Sequence, residues 1–349
     1  MTENPAKHTI ESPDGTKKRG RQKGVVTDMS ATVQTKKKGK MLSSAGIKTI
    51  LLTSMVLPGA IWFFLLRYLP MAGIVLAFKN YKVYTKDPTF WNNMIHSKWV
   101  GLKNFKFLFS TSDSWLYIRN TLAYNVLWIV LGLVVAVAFA IILNEITQKF
   151  VAKTYQTLMF FPYFLSWVVA SYFVLAFLDP TRGLLDHYLT SHGMAAVDWY
   201  NEPKYWPWIL TICNLWKNIG YSTILYLAAI TGIDTTQYEA ASIDGAGKWQ
   251  QIWNVTLPNL RPMICILLIM NVGKIFNSDF GLFYTVPLNS GSLFSATQVI
   301  DTYIYRVMTA TNNIGMSTAG GLLQNLIGFI CIMIANKVVT RIDEDSSLF

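Results

Sequence analysis

Charge is scarce in this chain. Only 14% of its 349 residues are Asp, Glu, Lys or Arg, against 52% hydrophobic ones, and the mean hydropathy is positive, +0.33. That balance excludes an ordinary soluble domain, in which about a quarter of the residues are charged. Cysteine is nearly absent. Cys213, Cys265 and Cys331 all fall in apolar stretches without paired spacing, which argues against a disulfide framework or thiolate metal site and leaves them as small packing residues. The four histidines, His8, His96, His187 and His192, are scattered. Even His187 and His192 lack a meaningful ligand spacing, so no metal site is expected. Nor does any nucleophile–base arrangement stand out, as a membrane enzyme such as a glycosyltransferase would need. The nearest approach to a phosphate-binding loop is Gly247-Lys248. There Ser242 stands where that motif needs glycine, and Trp249 where it needs Ser or Thr. The chain does not bind ATP in this way, and no cofactor is expected.

What the chain has instead is long apolar runs. Crossing roughly 30 Å of hydrocarbon takes about 20 helical residues, and six segments reach that scale: 47–66, 115–143, 155–178, 205–230, 263–286 and 318–339. A shorter apolar patch runs from Tyr68 to Phe78, after Arg67. Twelve Trp, 17 Tyr and 20 Phe suit a protein with many rings at membrane–water interfaces. The expected fold class is an all-α membrane protein with six transmembrane helices over residues 47–339. Residues 1–46 form a basic, disordered leading tail and residues 340–349 a short polar one. Residues 1–40 hold ten Lys or Arg against four acids. By the positive-inside rule this places the amino terminus in the cytoplasm, and an even number of crossings returns the carboxyl terminus there. The proposed outer segment 67–114 runs against that rule with seven basic residues and two acids. A basic tail at the first helix usually dominates orientation, so the assignment stands.

The polar segment 234–262, between the fourth and fifth runs, is the most specific stretch. It reads Glu239-Ala240-Ala241, then Gly245, then Val255 and Leu257-Pro258. Asp234 can cap a helix, with Gln237 three residues on to complete a capping box. Gly245 and Gly247 permit a break. A second short helix would span 248–256, ended by Pro258 and Pro262. The spacing resembles the EAA loop of permease subunits in ATP-driven (ABC) importers. The resemblance implies a coupling helix that docks in a groove of a separate ATPase. Glu239 would make the polar contact and Ala240 and Ala241 would pack in the groove. Gly245 would supply the bend, with Asp244, Ala246 and Gly247 beside it in the ATPase-coupling stretch, and Leu257 and Pro258 would set the second helix against the membrane core.

Further stretches extend the resemblance over about residues 60–337. They include YLPMAGIVLAFKNY from Tyr68, WVGLKNFKFLF from Trp99, FFPYFLSWVV from Phe160, LWKNIGYSTILYLAAITGID from Leu215 and STAGGLLQNLIGFI from Ser317. Together they look like the maltose-type sugar branch of type I ABC importer permeases, and within it the subgroup for lipoprotein-fed uptake of complex oligosaccharides. Tyr163 departs from that subgroup, which commonly has His after the proline. The resemblance implies a second permease, usually non-identical, an ATPase dimer, an extracellular lipoprotein that binds the solute, and alternating access driven by ATP. Nucleic acid is not an expected partner.

Polar side chains inside the runs are candidates for a substrate pathway, because such groups in a membrane are costly and usually face a cavity or a partner. They are Trp216, Lys217, Asn218, Tyr221, Asn271, Lys274, Phe276, Asn277, Asp279 and Asn325, with Tyr284 and Gln324 beside them. Amides offer partners to sugar hydroxyls, and rings offer flat faces for stacking. The alternative is that these groups bond to one another, to carbonyls or to a partner chain, with Lys217 snorkelling or pairing with an acid. Asp301 and Arg306, on the outer side, could touch a binding protein or each other across a helical turn. A secondary, ion-coupled transporter would also carry polar residues in broken helices, but would have no reason to keep an ATPase-docking loop.

Overall fold

The computed structural model describes residues 44–82 and 89–342. The basic stretch 1–43, Lys86 and Asp87, and the tail 343–349 lie outside the described residues, so the expectations placed on them stand where they were. The chain divides into two compact units, the first ending at Trp62 and the second running from Phe63 to Phe349. In the first, helix α1 (Ser44–Phe63) carries the opening apolar run.

In the second unit the backbone does not stop at Arg67, as the charge suggested. It passes through a π-helical turn (Phe64–Tyr68) into a 3₁₀ stretch (Leu69–Phe78), because an isolated arginine can remain helical where Pro70 occupies the first turn of the next segment. A two-strand hairpin follows, β1 (Lys79–Asn80) against β2 (Lys98–Trp99), antiparallel, with helix α2 (Phe90–His96) between them. The short helix α3 (Phe107–Ser110) leads into α4 (Ser114–Asn144), which matches the expected second crossing.

The third apolar run is not one helix. It splits into α5 (Lys149–Phe160), a 3₁₀ turn (Phe161–Phe164) and α6 (Trp167–Leu178), and the two arms meet at 101°. Pro162 begins the break, since proline cannot continue the hydrogen-bond ladder. Ser166 then caps α6 by accepting a bond from the Val169 amide at 3.3 Å. Helix α5 also takes in Lys149 to Thr154, which precede the third apolar run. After α7 (Leu184–Ser191) comes α8 (Trp206–Thr231), about 39 Å long at 1.5 Å per residue.

Helix α9 (Thr235–Ile243) and helix α10 (Lys248–Gln251) form the polar loop. The second does not end at the prolines. It continues through a π turn (Ile252–Thr256) into α11 (Leu257–Val272), with Pro258 in the first turn and Pro262 inside. The irregular turn supplies the slack that a residue without an amide hydrogen requires. The helix of the fifth crossing therefore runs on directly from the polar loop, over Lys248–Val272, and ends earlier than the apolar run implied, with irregular backbone from Gly273 to Asp279. The chain closes with α12 (Phe280–Thr285), α13 (Phe294–Thr297), α14 (Ile300–Thr311) and α15 (Ile314–Ile342).

Among the described residues, four helices are long and apolar enough to cross a membrane, or five if the bent α5–α6 pair is one span. Helix α8 is not counted among them, because Asn214, Lys217 and Asn218 dilute its apolar content. It is instead the inner partner of α4. Trp128 of α4 donates to Thr211 of α8 at 3.1 Å, and Tyr124, Trp128, Trp167, Trp206 and Phe283 close one buried cluster around the pair. On its other side α8 meets α5 at Gly220, where an added Cβ would lie 1.9 Å from the Met159 carbonyl oxygen. Only glycine permits that approach.

Candidate functional sites: a polar elbow and a cavity between two broken helices

The elbow is built by local chemistry. Asp234 caps α9 by accepting the Thr236 amide at 3.0 Å, and that bond holds its carboxyl below the usual carboxylate range. Gln237 does not complete a capping box. Its side-chain oxygen accepts from Asn259 Nδ2 at 2.8 Å instead, tying α9 to α11. The turn after α9 rests on Gly245, with φ of +80°, while the Ala246 amide bonds back to the Ala241 carbonyl at 2.9 Å. Such a left-handed residue after a helix end is a common way to satisfy its last carbonyls. Gly247 is not strained. Its φ is −71°, and it serves as the cap of α10, donating to Gln250 Oε1 at 2.7 Å.

Three half-buried hydrogen bonds hold the limbs of the elbow together. Gln251 donates to Ser242 Oγ at 2.9 Å and to the Ala246 carbonyl at 3.2 Å, and Tyr238 bonds to Thr256 at 3.0 Å. The outside is open. Glu239, Ala240, Asp244, Gly245, Gly247 and Pro258 are exposed, and Ala241, Ala246 and Leu257 are half-buried. Three large apolar residues not singled out in the sequence stand out beside them: Ile243 at 87%, Trp249 at 75% and Trp253 at 66% exposure. Their signal was available as bulky apolar residues inside a polar loop. Exposed apolar groups on this scale mark a surface for contact with a protein partner or with lipid.

The second site is a cavity of about 530 Å³. Both backbone breaks border it. From the first, Tyr163 contributes its ring, and from the second come Asn277, Ser278 and Asp279. Irregular backbone at membrane depth persists only where protein or a water-filled cavity satisfies it, and here side chains do so. Asn125 of α4 donates to the carbonyls of Ile275 and Asn277 at 2.8 and 3.1 Å. Gln324 of α15 donates to the Phe276 carbonyl at 2.7 Å. Asp301 accepts the Ser278 amide at 2.7 Å and Gln324 at 3.2 Å. Tyr163 and Tyr221 stack on the wall, with ring centres 4.8 Å apart and planes 11° off parallel.

Six of the ten expected pathway residues line this cavity: Asn218, Tyr221, Asn271, Lys274, Asn277 and Asp279. Four do not. Trp216 and Asn325 are exposed and outside its lining, and the Asn325 amide bonds within its own helix, to Gly321 at 2.8 Å. Phe276 offers only its carbonyl, to Gln324. Lys217 is buried and turned to the first break, where its ammonium reaches the carbonyls of Tyr163 at 3.0 Å, Pro162 at 3.5 Å and Leu165, over the ring of Trp167. The cavity also holds Asn125, Asn214, Ser222, Ser278 and Trp128, which the sequence reading passed over because single polar groups in apolar helices carry no label for the direction they face. Asp301 and Arg306 do not pair with each other. Arg306 Nε donates to Asn289 at 3.1 Å, and the guanidinium lies 3.7 Å from the centre of the Phe294 ring.

Known proteins share this architecture. Residues 128–344 match the family described as "Binding-protein-dependent transport system inner membrane component". The chain is 32% identical over 317 residues to the polygalacturonan/rhamnogalacturonan transport system permease protein YteP of Bacillus subtilis (strain 168), covering 91% of this chain and 96% of that protein. Among solved structures it is similar to a chain of a bacterial ABC transporter involved in the import of the acidic polysaccharide alginate. There the identity is 31% and the TM-score 0.74, over 85% of this chain and 97% of that one. A second structure of a bacterial alginate ABC transporter, in complex with an alginate pentasaccharide-bound periplasmic protein, matches at 30% identity and TM-score 0.74, over 85% and 96%.

Proposed function

Because the chain belongs to the family of binding-protein-dependent transport system inner membrane components, we propose that it is the membrane-spanning subunit of an ATP-driven importer of oligosaccharides. It is a multi-pass membrane protein, and its family consists of permease subunits that are not themselves enzymes. Hydrolysis then belongs to a separate cytoplasmic ATPase dimer, and solute arrives on an extracellular lipoprotein. A second, non-identical permease completes the pathway through the permease domain of residues 47–339. Both termini and the elbow face the cytoplasm.

The observation that carries this reading is the pairing of an exposed, internally braced elbow with a polar cavity between two broken helices. The elbow supplies a surface for the ATPase: Glu239, Ala240, Ala241, Asp244, Gly245, Ala246, Gly247, Leu257 and Pro258, with Ile243, Trp249 and Trp253 added as apolar anchors. The cavity supplies amides for hydroxyls and the Tyr163–Tyr221 stack for a sugar face. In the proposed cycle, ATP-driven closure of the ATPases moves the elbow. The rigid connection from α10 through α11 carries that movement to the second break, which lines the cavity. The broken helices would also suit an ion-coupled carrier, a reading that family membership removes.

The test is capture of the intact complex from the membrane, followed by reconstitution into vesicles. Oligosaccharide uptake should require both enclosed ATP and the co-purified binding protein. Uptake that persists without ATP and follows an imposed proton gradient would overturn the reading. The apolar anchors give a second check. Replacing Trp249 and Trp253 together by alanine should reduce the ATPase recovered with the complex by roughly tenfold or more, as expected for aromatic anchors at an interface. The thermal stability of the membrane subunit should hold, because both rings are exposed.

A further inference from the structure

We infer that the cavity is built for acidic oligosaccharides, chains bearing uronate carboxylates, and that Lys274 is the counter-charge that receives them. The inference rests on the oligosaccharide-import reading and narrows its substrate class.

Charge is unevenly matched inside the cavity. Its lining holds two ionisable groups of opposite sign, Asp279 and Lys274. Asp279 is already engaged at both oxygens. Trp167 Nε1 donates to one, and the Leu282 amide at the start of α12 donates to the other at 3.3 Å. Lys217 lies over the same Trp167 ring and is itself fixed by three carbonyls at the first break. Each of these two charges therefore already has its hydrogen-bond partners within the protein. Lys274 is left over. It is exposed toward the cavity, and its ammonium has no hydrogen bond or ion pair among the described residues.

An unpaired ammonium at membrane depth is costly and is kept where a charge must be met. A neutral sugar would be served by the rest of the lining alone. Asn218, Asn271 and Asn277 satisfy hydroxyls, and Tyr221 with Tyr163 offers a stacked face. A volume of about 530 Å³ lies within the range of sites that enclose organic ligands. A carboxylate carried by the sugar would complete the one interaction this lining leaves open.

The test uses the intact importer in vesicles with its own binding protein. The probes are trigalacturonate and trimannuronate, each beside its fully methyl-esterified form, with maltotriose as a further neutral arm. Because the binding protein is the same throughout, a change in the acid-to-ester uptake ratio between variants reads the membrane cavity. Wild type should favour at least one acid over its ester. K274Q should lower that ratio roughly tenfold or more while K274R keeps it within about twofold, the size expected of a hydrogen-bonded charge pair. Uptake of neutral arms with no acid preference, or an acid preference that K274Q leaves intact, overturns the inference and leaves the import reading standing. A K274Q complex that falls apart would assign Lys274 to a carboxylate of the partner permease and also overturns it. Failure of every arm in an intact complex supplied with ATP and binding protein counts against import itself.

Discussion

Gly245→Asp is expected to leave the protein in the membrane at wild-type abundance and to cut ATP-driven uptake at least about thirtyfold, the factor that corresponds to losing about 2 kcal/mol at an interface anchor. The separation of the two effects follows from the geometry. A Cβ at position 245 would meet nothing within 4 Å, so no steric conflict arises inside the subunit. The φ of +80° costs a residue with a side chain about 1–2 kcal/mol, and Asp is among the residues that enter this region most readily. The bonds that hold the elbow, from Gln251 to Ser242 and from Tyr238 to Thr256, do not involve Gly245. What changes is the outer surface, where a flat bend gains a charged side chain against an approaching partner. Gly245→Asn makes the same demand on the backbone without the charge and should retain an intermediate rate. Glu239→Lys, at an exposed side chain with no partner among the described residues, should also abolish uptake without loss of protein. Full uptake by both Gly245→Asp and Glu239→Lys would remove the coupling assignment, and quantitative immunoblotting beside vesicle transport reads both quantities.

The elbow was legible in the sequence because its causes are local. Asp234 caps within two residues, Gly245 breaks a helix by its own backbone freedom, and neither depends on distant packing. The limits of α4 were legible to one residue at each end and those of α15 to within four, because apolar residues dominate both runs despite Arg119 and Asn120 in one and Gln324 and Asn325 in the other. The two breaks were not. A segment apolar on every side has no face to report its direction, so residues 155–178 read as one crossing although Pro162 turns the chain through 101°. At the second break the polar cluster from Asn271 to Asp279 was visible, but its backbone partners sit far away in sequence, on Asn125, Asp301 and Gln324. Pro258 and Pro262 misled in the opposite sense. Proline is a stop only where its missing amide hydrogen is needed, and a π turn before Leu257 removes part of that need. Lys217 shows the limit most clearly. Sequence places an ammonium inside a crossing, but cannot distinguish a cation facing substrate from one facing carbonyls.

Lys217→Met is accordingly expected to act on stability, unlike Lys274→Gln, which should act on selection. Lys217 is 9% exposed and supplies the positive charge for three carbonyls that the α5–α6 break releases from the helical ladder. Methionine keeps most of the stem and its packing but none of the donors. The Pro162, Tyr163 and Leu165 carbonyls lose that donor, and Asp279 loses the cation that shares Trp167 with it. Removing one member of a buried charged arrangement costs about 3–5 kcal/mol, large against a total stability of about 5–15 kcal/mol. The expected result is a drop of several degrees in the melting temperature of the detergent-solubilised complex, together with lower abundance in the membrane. Lys217→Arg keeps a donor and a charge and should fall between the two. Adding Asp279→Asn to Lys217→Met removes the stranded negative charge, so the double variant should recover part of the loss instead of summing two losses, as groups in one network do. The opposite pattern, with Lys217→Met fully stable but defective in uptake, would return Lys217 to the substrate pathway and leave the break without its brace.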